Sequence, residues 1–352
     1  IRAGRASGQQ MAYSMLDARV VESFMDYARD DAAEQDSRRR IRAFKIARYL
    51  RKVCLEALED ETDWFVPQYR TGLVEIRDGA FWQDNQAIFF VGVGHFDQVR
   101  KDIPILTEYG LNIVQIEMGP SNALPDSDTV DTHAIEGRVV HVLDNGARHN
   151  VAVNLLISPH YFPSWAMEQH PELAECGYGF LNHCIDAPEA RAIHKKWLRL
   201  LMPRIANHPA LHSICLSNEP QYQGRCKHSL DQFRRWLKQH HNTVKRMNKR
   251  YGTAFQTFAE VPIPEDNSIY GLFFDWCRFN QDRFLAFHEF LRNIIHEYDP
   301  DLAVHAKVML HAFRDPSFFE RGINHETFTL LDAIAGNDGW QHYVGDRPGE
   351  YL

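Results

Sequence analysis

From residue 87 onward, short unbroken apolar runs alternate with longer stretches whose apolar positions recur every three or four residues. AIFFVGVGH (87–95) precedes FDQVRKDIPILTEYG (96–110), and LNIVQIEMGP (111–120) precedes a loop and a helical pattern around 134–149. VAVNLLISPH (151–160) precedes an aromatic-rich loop and a helical pattern from about 188 to 206. LHSICLSNEP (211–220) precedes a helical stretch over 231–252 and a second over about 267–298, then come LAVHAKVML (302–310) and LDAIAGNDGW (331–340). Continuous apolar runs predict strands buried on both faces, and the wider spacing predicts amphipathic helices that cover them. Six strands alternating with helices predict a parallel sheet, either doubly wound or a (β/α)8 barrel. A dinucleotide fold would need a glycine-rich turn after its first strand. Here Gly92-Val93-Gly94 runs into His95 and Phe96 without a third glycine. The reading is therefore an α/β chain forming a (β/α)8 TIM barrel, incomplete at its C-terminal end with about six strands seen.

The pattern before residue 87 differs. Residues 12 to about 63 are charged and helical, and LVEIRDGAFW, a turn at Asp84-Asn85 and AIFF read as short strands. The expected organisation is a helical extension over 1–70 and a barrel domain over 71–352, cut before strands 7 and 8. Arg38-Arg39-Arg40 reads as a solvated helix face among acidic neighbours.

Composition narrows the function. The chain has 352 residues, 44% of them hydrophobic, enough for a large core. A net charge of −8 argues against nucleic acid as the main partner, and no apolar run is long enough for a membrane span. The six cysteines are scattered without a C-x-x-C pair, so a reducing, cytoplasmic setting is expected. The opening IRAGRASGQQ does not read as a signal peptide.

Barrels of this kind carry their chemistry at the C-terminal strand ends. Here those ends hold His95, Glu117, Ser158 with His160 and Tyr161, Asn218-Glu219, His305 and Lys307, and Asn337-Asp338 with Trp340. His95, Glu117, His160, Asn337 and Asp338 are candidates for substrate binding. Trp340 is a candidate for stacking on an apolar substrate face, and Trp165 reads as packing. His305 and Lys307 are expected on opposite faces of their strand, so that at most one faces the barrel interior. Convergence of His95, His160, His305 and Asp338 on a catalytic metal is a weaker alternative, because the first strand lacks an H-x-H pair.

Asn218-Glu219-Pro220 at the end of the fourth strand resembles the acid/base signature of retaining glycoside hydrolases built on (β/α)8 barrels. FRRWLKQHHNTVKRMNKRYGTAF (233–255), PHYFPSWAMEQHPEL (159–173) and LNHCIDAPEAR (181–191) resemble segments of the family 42 β-galactosidases, and the likeness spans roughly 87–340. The first strand, VGVGHFDQVRKDIP, departs from that family's usual Tyr-Pro-Glu. The resemblance implies a divergent member, cleaving β-galactosides or related β-glycosides by double displacement. Glu219 would be the general acid/base and Asn218 would bind the sugar 2-hydroxyl. Asn182 and His183 would lie in a substrate-contacting loop. The family nucleophile is a Glu at the end of strand 7, which is expected beyond Leu352, about 5–5.5 Å from the acid/base. Some members hold a structural zinc with four cysteines. Here Cys184 and Cys226 are expected to be unligated thiols, and no cofactor or metal is expected. Members are often trimers, so a homo-oligomer is favoured. The rival reading is a catalytically inactive barrel that binds carbohydrate or serves as a scaffold.

Overall fold

The computed structural model describes residues 12–33, 36–59, 68–94, 97–176, 179–309 and 319–338. These form two compact units, Ile1–Val114 with Asn145–Ala152, and Gln115–Asp144 with Val153–Leu352.

In the first unit the charged N-terminal stretch forms two helices, α1 (Ala12–Ala33) and α2 (Ser37–Glu59). Asp36 starts the second by accepting the Arg38 backbone N–H at 2.8 Å. Asp31 is buried between the helices and accepts hydrogen bonds from Arg39 and Arg42. An unpaired buried carboxylate would be costly, so these two arginines fix how the helices meet. Next comes an antiparallel meander of β1 (Glu75–Arg77), β2 (Ala80–Gln83) and β3 (Gln86–Ile88). Its turns place Asp78 (φ 52°), Gly79 (72°), Asp84 (52°) and Asn85 (62°) in the left-handed region that two-residue hairpins require. Tyr69, Ile88 and Ala152 form a small core under it. The strand β4 (Gly92–Gly94) and the helix α3 (Asp97–Leu106) follow.

The larger sheet runs β4, β5 (Ile113–Glu117), β6 (Ala152–Leu156), β7 (Leu211–Asn218), β8 (Val304–Met309) and β9 (Gly336–Asp338), each strand beside its predecessor. This is the order of a (β/α)8 barrel, and the described residues supply six of its eight strands. Pairing is parallel. Every residue of β6 is buried, as expected of a strand covered on both faces. The named helices of the later chain are α4 (His141–His149), α5 (Ser164–Gln169), α6 (Pro188–Ile205), α7 (Lys227–His241), α8 (Val244–Tyr251) and α9 (Tyr270–His296). The stretch read as one helix over 231–252 breaks at Asn242, whose φ is 61°, and Thr243 caps α8 through the Arg246 N–H. Phe233, Trp236, Leu237, Met247, Leu272, Trp276 and Phe279 pack α7, α8 and α9 together.

Candidate active site

The site is built where β5 to β9 end. Glu117 closes β5 and accepts hydrogen bonds from Ser158 Oγ and the Tyr161 hydroxyl, both at 3.2 Å. Ser158 is fully buried and holds a φ of 38°. The turn it makes returns the chain so that Tyr161 reaches Glu117. Gly119 is required beside it, because a Cβ there would lie 2.5 Å from the Tyr161 Cβ and 2.7 Å from the Ser158 carbonyl oxygen. Burial, followed by the Glu117 charge, raises the Tyr161 pKa and keeps the phenol a donor. His160 packs against Tyr161 with ring centroids 4.2 Å apart and the ring planes tilted by 52°.

The β7 end is irregular in an informative way. Cys215 pairs with His305 and Asn218 with Lys307, so three steps on β7 oppose two on β8. That is a β-bulge, and it shifts the alternation of side chains by one. Asn218 thereby comes level with Lys307 at the rim. Glu219 follows with a φ of 40° and donates its N–H to the Lys307 carbonyl oxygen at 2.9 Å. A left-handed backbone at a residue with a Cβ is strained, and such strain concentrates at functional sites. Asn218 Oδ1 is buried with no hydrogen-bond partner among the described residues. Buried polar atoms are almost always paired, so this acceptor is ready for a donor.

His305 and Lys307 share a face, contrary to the expectation of opposite faces. Residues two apart on a strand point the same way, and both are half-buried between fully buried neighbours. Lys307 Nζ lies 3.4 Å from Asp338 Oδ2 on β9. His305 sits lower, in a polar layer that sequence reasoning missed. Gln115 donates to Asn154 Oδ1 (2.6 Å), and Asn154 Nδ2 reaches Ser213 Oγ (2.7 Å) and His305 Nε2 (2.9 Å). Burial, aided by the Lys307 charge, lowers the His305 pKa to about 4. The ring is thus neutral, and its Nε2 accepts from Asn154.

The other sequence candidates scatter. Asn337 is exposed on β9. Asn182 is exposed, but His183 beside it is fully buried, stacked on Phe162 at 4.0 Å and bonded to His194 at 2.9 Å. Its ring is part of the packing beneath that loop. Trp165 donates to the Leu124 carbonyl oxygen at 2.9 Å, in keeping with a packing role. His95 and Trp340 lie outside the described residues.

A family model described as β-galactosidase, glycoside hydrolase family 42, matches residues 93–334. The chain belongs to this family. Among curated relatives, the β-galactosidase Pbg of Clostridium perfringens is 29% identical over 206 residues, covering 54% of this chain and 29% of that protein. The β-galactosidase bgaB of Geobacillus kaustophilus is 25% identical over 239 residues, covering 62% of this chain and 35% of that protein. The chain therefore spans about a third of the length of these relatives. Among solved structures, the exo-carrageenase of Bacteroides ovatus, also of family 42, superposes with a TM-score of 0.78 at 21% identity, covering 96% of this chain and 51% of that one. The family 42 β-galactosidase Gan42B of G. stearothermophilus gives a TM-score of 0.62 at 21% identity, covering 73% and 41%. At these identities the structural likenesses carry the fold.

Family 42 membership raises the question of the zinc. Cys176, Cys184 and Cys226 are buried with their sulfurs all within 4.8 Å of one another, and the Cys184 and Cys226 sulfurs are 3.5 Å apart. Four sulfurs around a tetrahedral zinc stand about 3.8 Å apart, so the three thiols fit three corners. Cys176 comes from a short helical turn, Pro171–Cys176, far in sequence from the loop after Glu219. Its spacing from Cys184 and Cys226 carries no recognisable motif, and sequence reading passed over it. Ser229 Oγ lies 3.6 Å from the Cys176 sulfur and 3.7 Å from that of Cys226, and donates to Asp186 at 3.0 Å. Hydrogen bonds involving the Cys176 and Cys184 thiols lower the Cys226 pKa, so Cys226 is the first of the three to carry the charge a cation needs. A zinc held here would cross-link the loop after Glu219 to the 176–184 segment, a structural role.

Proposed function

We propose that this family 42 chain is the catalytic portion of a retaining glycoside hydrolase acting on β-galactosides or related β-glycosides. The observation that carries the reading is the end of β7. There a bulge brings Asn218 to the rim with a buried Oδ1 that has no partner among the described residues, directly before a strained Glu219. The Glu219 carboxyl protonates the glycosidic oxygen as the bond to C1 breaks, while a second carboxylate, on a strand beyond the six described, attacks C1. Glu219 then takes a proton from water as that water displaces the enzyme carboxylate. Asn218 Oδ1 accepts the sugar 2-hydroxyl, a contact that strengthens in the oxocarbenium-like transition state. Glu117, His160, Asn182, Asn337 and Asp338 are proposed to line the sugar site, and Tyr161 and Ser158 hold Glu117 in place.

A sulfated galactan is a second substrate reading. The exo-carrageenase covers 96% of this chain, whereas the β-galactosidase Gan42B covers 73%. The test is to incubate the full-length gene product with a fluorosugar inhibitor of the galacto configuration and locate the adduct by mass spectrometry. Aryl β-galactosides and carrageenan oligosaccharides are assayed in parallel. A covalent adduct on a carboxylate, together with loss of turnover in Glu219→Gln, supports the reading. No adduct and no hydrolysis of either substrate class would put the inactive, carbohydrate-binding barrel in its place.

A further inference from the structure

The bulge in β7 does more than advance Asn218. Without the extra residue, alternation from Cys215 would turn Ser217 toward the barrel interior and Asn218 toward the covering helices. With it, Ser217 is buried on the helix side, and its Oγ lies 2.6 Å from His288 Nε2 on α9. His288 is fully buried, with its ring edge-on to Phe284, Phe287 and Phe328. Its Nδ1 is 2.8 Å from the Phe284 carbonyl oxygen, which can only accept. Nδ1 therefore carries the proton, Nε2 is the acceptor, and the Ser217 hydroxyl donates. The aromatic surround and the carbonyl leave this ring one orientation and one tautomer. The bond it makes falls within the bulge, two residues before Glu219.

We propose that Ser217 and His288 are positioning residues for the acid/base. Their hydrogen bond holds the β7 bulge, and the bulge sets where the Glu219 carboxyl stands relative to the glycosidic oxygen. Neither residue touches substrate. This inference rests on the reading of Glu219 as the acid/base, and it predicts a particular kinetic signature. Proton donation matters when the leaving group is a weakly acidic phenol and hardly matters when it is a strongly acidic one. A displaced acid should therefore slow the first kind of substrate selectively. Loosening of the fold would slow both alike.

The experiment uses the full-length gene product with phenyl and dinitrophenyl β-galactosides, or the corresponding glycosides of whichever sugar it accepts. His288→Leu and Ser217→Ala remove the bond, while His288→Gln keeps an acceptor near the Nε2 position. Glu219→Gln is measured in the same series, and the melting temperature is taken for every variant. The expected result is a loss of about tenfold or more in kcat/KM on the phenyl glycoside for His288→Leu and Ser217→Ala. On the dinitrophenyl substrate kcat/KM should change far less, and His288→Gln should recover part of the loss seen with the phenyl glycoside. If Glu219→Gln is selective between the two substrates and the Ser217 and His288 variants are not, the positioning role is overturned and the acid/base reading survives. If Glu219→Gln is itself unselective, the acid/base reading fails and the inference falls with it.

Discussion

Arg283 on α9 offers a demanding test of how the loop after Glu219 is held. Its guanidinium is 5% exposed, donates from Nη1 to Asp186 Oδ2 and from Nη2 to the Gly224 carbonyl oxygen, both at 2.9 Å, and stacks near Tyr222, Trp276 and Phe279. Asp186 is also buried. Arg283→Met keeps much of the packing and leaves the Asp186 carboxylate without its counter-charge. Breaking a buried pair from one side costs about 3–5 kcal/mol, because the surviving charge is stranded. At about 2 °C per kcal/mol for a long chain, the melting temperature should fall by roughly 6–10 °C. The Asp186→Asn, Arg283→Met double variant should regain part of that loss, since an amide is far less costly to strand than a carboxylate. Arg283 Nε is buried without a partner among the described residues, so the intact pair is itself imperfectly satisfied. The coupling energy from the double-mutant cycle is thus the quantity to measure, by calorimetry or urea titration. A single variant costing under about 1 kcal/mol, or a double variant showing no recovery, would refute the claim that this pair is a buried, mutually dependent anchor.

Three further outcomes are expected. Burial lowers the pKa of His288 to about 4 and of His194 to about 3. Both are neutral in the fold but protonated in the unfolded chain below 6.5, so unfolding takes up protons and stability falls as pH drops from about 6.5 toward 4. His288 alone accounts for about 3 kcal/mol of that fall, and melting curves between pH 7 and pH 4 should show the loss shrink in His288→Gln. Cobalt added to the reduced protein should give a thiolate charge-transfer band with the intensity of a tetrahedral site, and Cys176→Ser should weaken it; an unchanged spectrum in that variant would remove Cys176 from the ligand set. Gly119→Ala should destabilise by about 1–3 kcal/mol through overpacking and should lower kcat/KM by displacing Tyr161 from Glu117; a variant as active and stable as the parent would show that this turn has room to spare.

Much of the fold could be read from the chain because continuous apolar runs and helical spacing survive without knowledge of partners. The strand that ends at Asn218, just before Glu219, was legible for that reason. What could not be read depends on register and on distant pairing. A bulge adds one residue to β7 without any compositional mark, so nothing in the sequence ties Ser217 to His288 on the long helix α9. Cys176 joins Cys184 and Cys226 only after the loops close. His183 appeared available beside Asn182, yet one residue along that turn carries it from solvent into the packing against Phe162. The break at Asn242 turns on a single residue, which periodicity averages over.

One helix carries two of these attachments. Arg283 and His288, five residues apart on α9, hold Gly224 and Ser217 respectively. The segment from 217 to 224, with Glu219 between, is therefore measured against a fixed ruler of less than two helical turns. Surface loops usually absorb length changes at little cost. An insertion or deletion between 283 and 288 has no such outlet, because it would rotate one anchor by about 100° per residue relative to the other. In a lineage as divergent as this one, length variation should accumulate around the rim loops and be purged from this stretch of α9.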